Sequence, residues 1–130
     1  MLNASLEREI KFSFEGKDYN ISFPTVEQEI EIHSRRILYS RGSYKDVIFE
    51  RTVRSTYLLD IINTISFLSV MCPSLVSDIK GIEDLGQLDQ IEIRPLMKAY
   101  NKHISPLLSK WYELLLDDGE QNEEDESKQE

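Results

Sequence analysis

Apolar and polar residues alternate from Ile10 to Phe14 and again from Tyr19 to Phe23, with Glu15-Gly16-Lys17-Asp18 between them. Side chains of a strand point to opposite faces in turn, so this pattern predicts a β-hairpin with one apolar face. A two-residue Gly16-Lys17 loop, with glycine in the first position of a type II′ turn, sets Phe14 opposite Tyr19, Phe12 opposite Ile21 and Ile10 opposite Phe23. Ser13, Asn20, Lys11 and Ser22 fall on the polar face. An isolated two-stranded hairpin is marginal in water, so the apolar face must dock on something.

The period then changes from two to that of a helix. Thr25 and Gln28 form a capping-box pair, and Glu27, Glu29 and Glu31 crowd the first turns, where the helix dipole favours negative charge. Val26, Ile30, His33 and Ile37 share one helical face. Arg35, Arg36 and Arg41 lie near the other end, and Gly42 stops the helix. Ser43 is placed to cap a second helix. Tyr44 to Cys72 contains neither Gly nor Pro and reads either as one long helix or as two with a bend near Arg51–Ser55. Its second part, from Tyr57, is apolar nearly all round, as a central helix is. Pro73 ends it, and a short apolar turn with Leu75, Val76 and Ile79 follows. Gly81 and Gly86 bracket a linker, and Asp89 is the cap expected for the last helix, with Glu92 three residues on. Helical spacing runs from Ile91 through Leu96, Met97, Tyr100, Ile104, Leu108 and Trp111 to Leu115. Pro106 lies inside it and should kink or split the helix near Ser105.

These elements make an α+β domain, mostly α, in residues 1–118: an N-terminal β-hairpin packed on a small helical bundle whose central member is the 57–72 helix. Residues 1–6 read as a loose lead-in, and residues 119–130 have no apolar side chain and read as a disordered acidic tail.

Charge sharpens this division. The net charge is −9, yet eight acidic residues and one lysine fall between Asp117 and Glu130, leaving sixteen acids and fourteen bases in the body. A nearly neutral body with an acidic tail argues against nucleic-acid binding, which depends on neutralising phosphates. The first residues lack the apolar core of a signal peptide, and the most apolar run, 57–72, is short for a membrane span and contains Asp60 and Asn63. The single cysteine, Cys72, excludes an intramolecular disulfide and suits a reducing compartment. The expected setting is the cytoplasm, with no membrane partner.

No catalytic signature is present. His33 and His103 stand in no metal-binding spacing, the glycines form no phosphate loop, and no Gly-x-Ser-x-Gly elbow occurs. The sequence therefore implies no catalytic residue, no metal site and no cofactor. What remains is a surface for a partner. The hairpin has two edges that can accept a strand. Trp111, Tyr112, Leu115 and Leu116 form a dense apolar end just before the acidic tail, and three consecutive leucines, Leu114 to Leu116, cannot all face one core. Either the hairpin or a neighbouring helix covers these side chains, or some are left for a partner.

Three segments carry a resemblance. They are Gly16-Lys17-Asp18-Tyr19-Asn20-Ile21-Ser22-Phe23-Pro24-Thr25-Val26-Glu27-Gln28, the run Leu59 to Pro73, and Lys98-Ala99-Tyr100-Asn101-Lys102 with Trp111. Together they resemble small proteins of tailed bacteriophages of gut bacteria, and the hairpin–Phe-Pro-Thr–helix opening is similar to that of tail assembly chaperones. The resemblance implies a non-enzymatic assembly factor of the infected cell. Such a factor binds the phage tape measure protein, helps recruit the tail tube protein and is absent from the finished particle. The alternative is a structural or packaged virion protein of the tail or baseplate.

Overall fold

The computed structural model describes residues 8–77, 79 and 87–116. The expected lead-in, the 81–86 linker and the acidic tail lie outside the described residues. The chain begins with an antiparallel hairpin of β1 (Glu9–Phe14) and β2 (Lys17–Ser22). Helices α1 (Val26–Tyr39), α2 (Tyr44–Glu50), α3 (Val53–Met71) and the single turn α4 (Pro73–Val76) follow. Then come α5 (Arg94–Ala99), a π turn (Tyr100–Ile104) and α6, residues 105–116. This is the α+β, mostly helical architecture that the hydrophobic pattern predicts.

The hairpin keeps the predicted apolar face but not the predicted pairing. Ile10 pairs with Ile21, Phe12 with Tyr19 and Phe14 with Lys17. The loop is Glu15-Gly16, and both residues have positive φ, 49° and 80°. That is a type I′ turn, whose twist matches the strands as a II′ turn's does, but which wants its glycine second. Gly16 satisfies that position one residue earlier than expected. The slip is by two residues across the ladder, so parity is conserved and the same side chains stay inside. On the outer face Ser13 donates to Asp18, and Asn20 Nδ2 donates to Glu9 Oε2 at 3.2 Å.

α3 is the centre. Ile61, Ile62, Ile65, Phe67 and Leu68 are all buried, and Ile65 and Leu68 have no exposed surface. The hairpin's Ile10, Phe12 and Ile21 join the same core with Leu96, Met97, Ile104, Leu108 and Trp111. The break between α2 and α3 is at Arg51, in the left-handed region with φ 55°. Thr52 then caps α3 in a reciprocal box with Ser55. This resolves the choice between one helix and two, with a cap signal that the absence of Gly and Pro had hidden.

α1 starts where expected, in a Thr25–Gln28 capping box. Its end is a Schellman motif, with Gly42 N–H bonded to Ile37 O and Arg41 N–H to Leu38 O, and Arg41 takes the left-handed position that glycine usually holds. The rotation of the helix about its axis is the surprise. Ile32 is its buried apolar residue, whereas Val26, Ile30 and Ile37 are 77%, 64% and 47% exposed. The inward face is Gln28, Glu29, Ile32, Arg35, Arg36 and Tyr39. Only Phe23, Pro24 and Thr25 separate α1 from β2, so docking of the hairpin leaves the helix little freedom to turn. The inner face is tied down by polar contacts instead: Arg35 bridges Glu31 Oε1 and Tyr39 Oη, each at 3.2 Å, and the Tyr39 hydroxyl reaches Ser69 Oγ on α3 at 3.3 Å.

Pro106 acts one turn earlier than a simple kink. The helix widens over Tyr100–Ile104, and Ser105 N–H bonds to Tyr100 O, five residues back. Pro106 brings no N–H and a ring that crowds the preceding turn, and a π turn accommodates both without breaking the helix. Asp89 does not cap that helix directly. Its Oδ1 accepts from Ile91 N–H at 2.8 Å and Glu92 N–H at 3.3 Å, closing a turn that leads into Arg94.

Ile65→Ala should therefore destabilise the protein by about 2–5 kcal/mol in chemical denaturation, whereas Ile30→Ala should change stability by no more than about 0.5 kcal/mol. Ser66 is fully buried and its hydroxyl has no partner, so Ser66→Ala should be neutral or stabilising in the same assay.

Candidate functional site

Three elements meet at one end of the molecule, and Phe23 is where they meet. Its N–H bonds to Arg8 O at 2.9 Å, extending the strand pairing by one residue. Its ring packs on Trp111 at 4.6 Å and on Tyr112 at 5.6 Å, tilted by 56° to both. Pro24 is buried behind it, and Thr25 opens α1. One turn into α1, Glu29 Oε1 accepts a 2.6 Å hydrogen bond from the Tyr112 hydroxyl. Hairpin, first helix and last helix are thus clamped by two aromatic contacts and one charge-assisted hydrogen bond.

The clamp decides what each of the four predicted partner-binding residues does. Trp111 is 2% exposed and is spent on the interior. Tyr112 is half-buried and held by Glu29 and Phe23. Leu108 and Trp111 are buried in the core, whereas Leu115 and Leu116, farther along α6, remain 47% and 59% exposed. Leu115 lines a groove of about 470 Å³ with Phe23, Pro24 and Thr25, and with Arg8 and Glu9. Its lining combines apolar Phe23, Pro24 and Leu115 with the opposite charges of Arg8 and Glu9, which suits an apolar side chain on a polar-flanked segment. Among the described residues the sheet has two strands, and neither edge of the hairpin pairs with a third.

Elsewhere the candidate chemical groups are spoken for. His103 stacks on Phe12 at 5.8 Å, His33 lies edge-on to Tyr44 at 6.2 Å, and Cys72 is buried. Among the described residues no cluster of His, Cys, Asp and Glu could hold a metal ion, and no helix is long and apolar enough to cross a membrane.

Periodicity did not indicate a second, polar cleft of about 240 Å³ between α1, α3 and the π turn. Arg36 Nε is buried there without a hydrogen-bond partner, near Asp60, Asn63, Tyr100 and Ser105. Burial pushes the Tyr100 phenol up to about 12, against the pull of Arg36. The Tyr112 phenol is also held well above its ordinary range, first by burial and then by its bond to Glu29. Both phenols are protonated at neutral pH, as tyrosine ordinarily is, and that of Tyr112 donates to Glu29. Only the fold pairs Tyr112 with Glu29, 83 residues apart. In the sequence Glu29 is simply one acid among three in a helix's first turns.

A raised phenol pKa stabilises the folded state fully below the unfolded value of 10.0 and loses that contribution as pH rises through the folded value. The urea midpoint should be insensitive to Tyr112 ionisation up to about pH 10 and fall above it. Tyr112→Phe should flatten part of that alkaline fall while costing about 1 kcal/mol at pH 7. The chain was also compared with protein-family models, with curated proteins and with solved structures, and none of the three comparisons gives a match.

Proposed function

We propose that this protein is a non-enzymatic phage tail assembly chaperone, working in the host cytoplasm and binding apolar helical stretches of the tape measure protein until the tail tube protein encloses them. The observation that carries this reading is the apolar end of α6: Leu115 and Leu116 are exposed, and Leu115 lines the groove at Phe23, Pro24 and Thr25. A client helix presents apolar residues at intervals of three and four, and such a helix lies naturally in a groove edged by another helix. The acidic residues from Asp117 onward follow immediately in the chain. Their negative charge would keep a chaperone–client complex soluble. The resemblance of the hairpin–Phe-Pro-Thr–helix opening to tail assembly chaperones supplies the identity of the client.

Affinity capture from infected cells, read by mass spectrometry beside purified particles, tests the reading. The expected result is the tape measure protein in the capture and no copy of this chain in the particles. Presence in particles at a fixed copy number would make it a structural or packaged virion protein instead. Leu115→Glu with Leu116→Glu should reduce capture of the tape measure protein by at least about tenfold while leaving the melting temperature unchanged, because a charge cannot be desolvated cheaply in an apolar contact.

A further inference from the structure

The polar cleft between α1, α3 and the π turn holds a cation that the fold does not use. Arg36 Nε is buried in it and has no hydrogen-bond partner. Among the described residues no carboxylate stands within ion-pair distance of Arg36; on α1 it is Arg35 that pairs, with Glu31. A buried donor left unpaired is costly, so the position calls for an acceptor that the protein itself does not supply. Of the two acids on the lining, Glu29 stands seven residues, about 10 Å, back along the helix axis. Its carboxylate already takes the Tyr112 hydroxyl. The other, Asp60, is exposed. Around Arg36 stand groups that can donate: the Tyr100, Ser105 and Ser109 hydroxyls, and the amide of Asn63, whose Oδ1 already accepts from Tyr44 at 2.8 Å. None of these accepts from Arg36 Nε. Tyr100 belongs to the π turn and Ser105 follows it directly, and such turns recur where a helix borders a functional site.

We infer that this cleft binds a single carboxylate group, held by the Arg36 guanidinium with the Tyr100 hydroxyl donating beside it. Three properties select this ligand. The first is shape: a guanidinium edge presents Nε–H and an Nη–H in one plane, a fork that matches the two oxygens of a carboxylate. The second is size: the cleft measures about 240 Å³, the liquid share of roughly eight waters. That is room for a carboxyl group and a short chain, which Ile32, Phe67 and Leu108 on the same lining would cover. The third is charge. One guanidinium shares the cleft with the carboxylates of Asp60 and Glu29, so a single negative charge is accepted and a dianion such as phosphate is repelled. Arg36 and Tyr100 act on one another already, since the guanidinium is the charge that pulls against the rise of the Tyr100 phenol. The carboxylate comes either from a free short-chain acid or from an Asp or Glu side chain of a bound protein. The cleft is separate from the Leu115 groove, and the inference does not rest on the client reading.

Nuclear magnetic resonance of the isotopically labelled full chain reads the Arg36 Nε–H directly, its signal being the one missing from Arg36→Lys. Sodium butyrate should move that signal downfield and saturate it with a Kd of about 1–10 mM. Sodium chloride and sodium phosphate at the same ionic strength should not saturate it. The Tyr100 ring signals give a second readout that survives substitution of the arginine. By that readout Arg36→Lys, which keeps the charge and loses the fork, should weaken butyrate binding at least about fivefold. Tyr100→Phe, read at the Arg36 Nε–H, should weaken it at least about threefold with the melting temperature unchanged, and it carries the test should Arg36→Lys misfold. The peptide acetyl-Ala-Glu-Ala-amide separates the two sources. Binding at least as tight as that of butyrate assigns a protein side chain, and weaker binding or none assigns a free acid. No saturation by butyrate, an equal response to phosphate, or butyrate binding unaltered by Arg36→Lys or by Tyr100→Phe would each overturn the inference.

Discussion

Phe23 between Trp111 and Tyr112 is the contact on which the rest of the arrangement depends. A two-stranded hairpin has no stability to spare. It survives here because Ile10, Phe12 and Ile21 are removed from water by α3 and the last helices, and Phe23 anchors its end at Trp111. The same residue is the last before Pro24 and the cap of α1. Docking the hairpin therefore also sets the origin and the rotation of the first helix. Tyr112, which also packs on Phe23, closes the arrangement by bonding to Glu29.

That constraint explains why a helix with an evident apolar stripe buries a largely polar face. α3 is apolar around much of its circumference and contributes Ile61, Ile65, Phe67 and Leu68 to the core, where Trp111, Met97 and Ile104 join them. α1 needs to add only Ile32. Its long polar side chains reach over α3 by their stems, with charged ends tied to Tyr39 or left toward the cleft at Tyr100. The stripe of Val26, Ile30 and Ile37 stays outside as a consequence.

The last helix shows how one residue can act at a distance along the chain. Pro106 is at its expected place, and its cost is absorbed upstream in the wide turn at Tyr100–Ile104. The helix therefore continues unbroken to residue 116, with Leu115 and Leu116 exposed near its end. A break at Pro106 would have ended the helix there, without the last turns that bring Leu115 to the groove at Phe23.

Much of this was legible from the residues. Alternation of two specifies the hairpin's inner face, because parity survives a slip of register. Thr25 and Gln28 specify the start of α1, because capping is a local interaction. The run from Tyr57 to Met71 specifies a central helix, because no other arrangement hides so many apolar residues. The tertiary structure alone decided the rest. It chose the I′ turn at Glu15-Gly16, where strand twist and docking select among turns that differ little in energy. It turned the stripe of α1 outward, because three residues tether that helix to a docked sheet. It divided the C-terminal cluster, burying Trp111, bonding Tyr112 and exposing Leu115 and Leu116, because periodicity shows which residues share a face but not where the neighbouring elements stop. Local patterns fix what each segment is; which surfaces it hides depends on partners far away in the sequence.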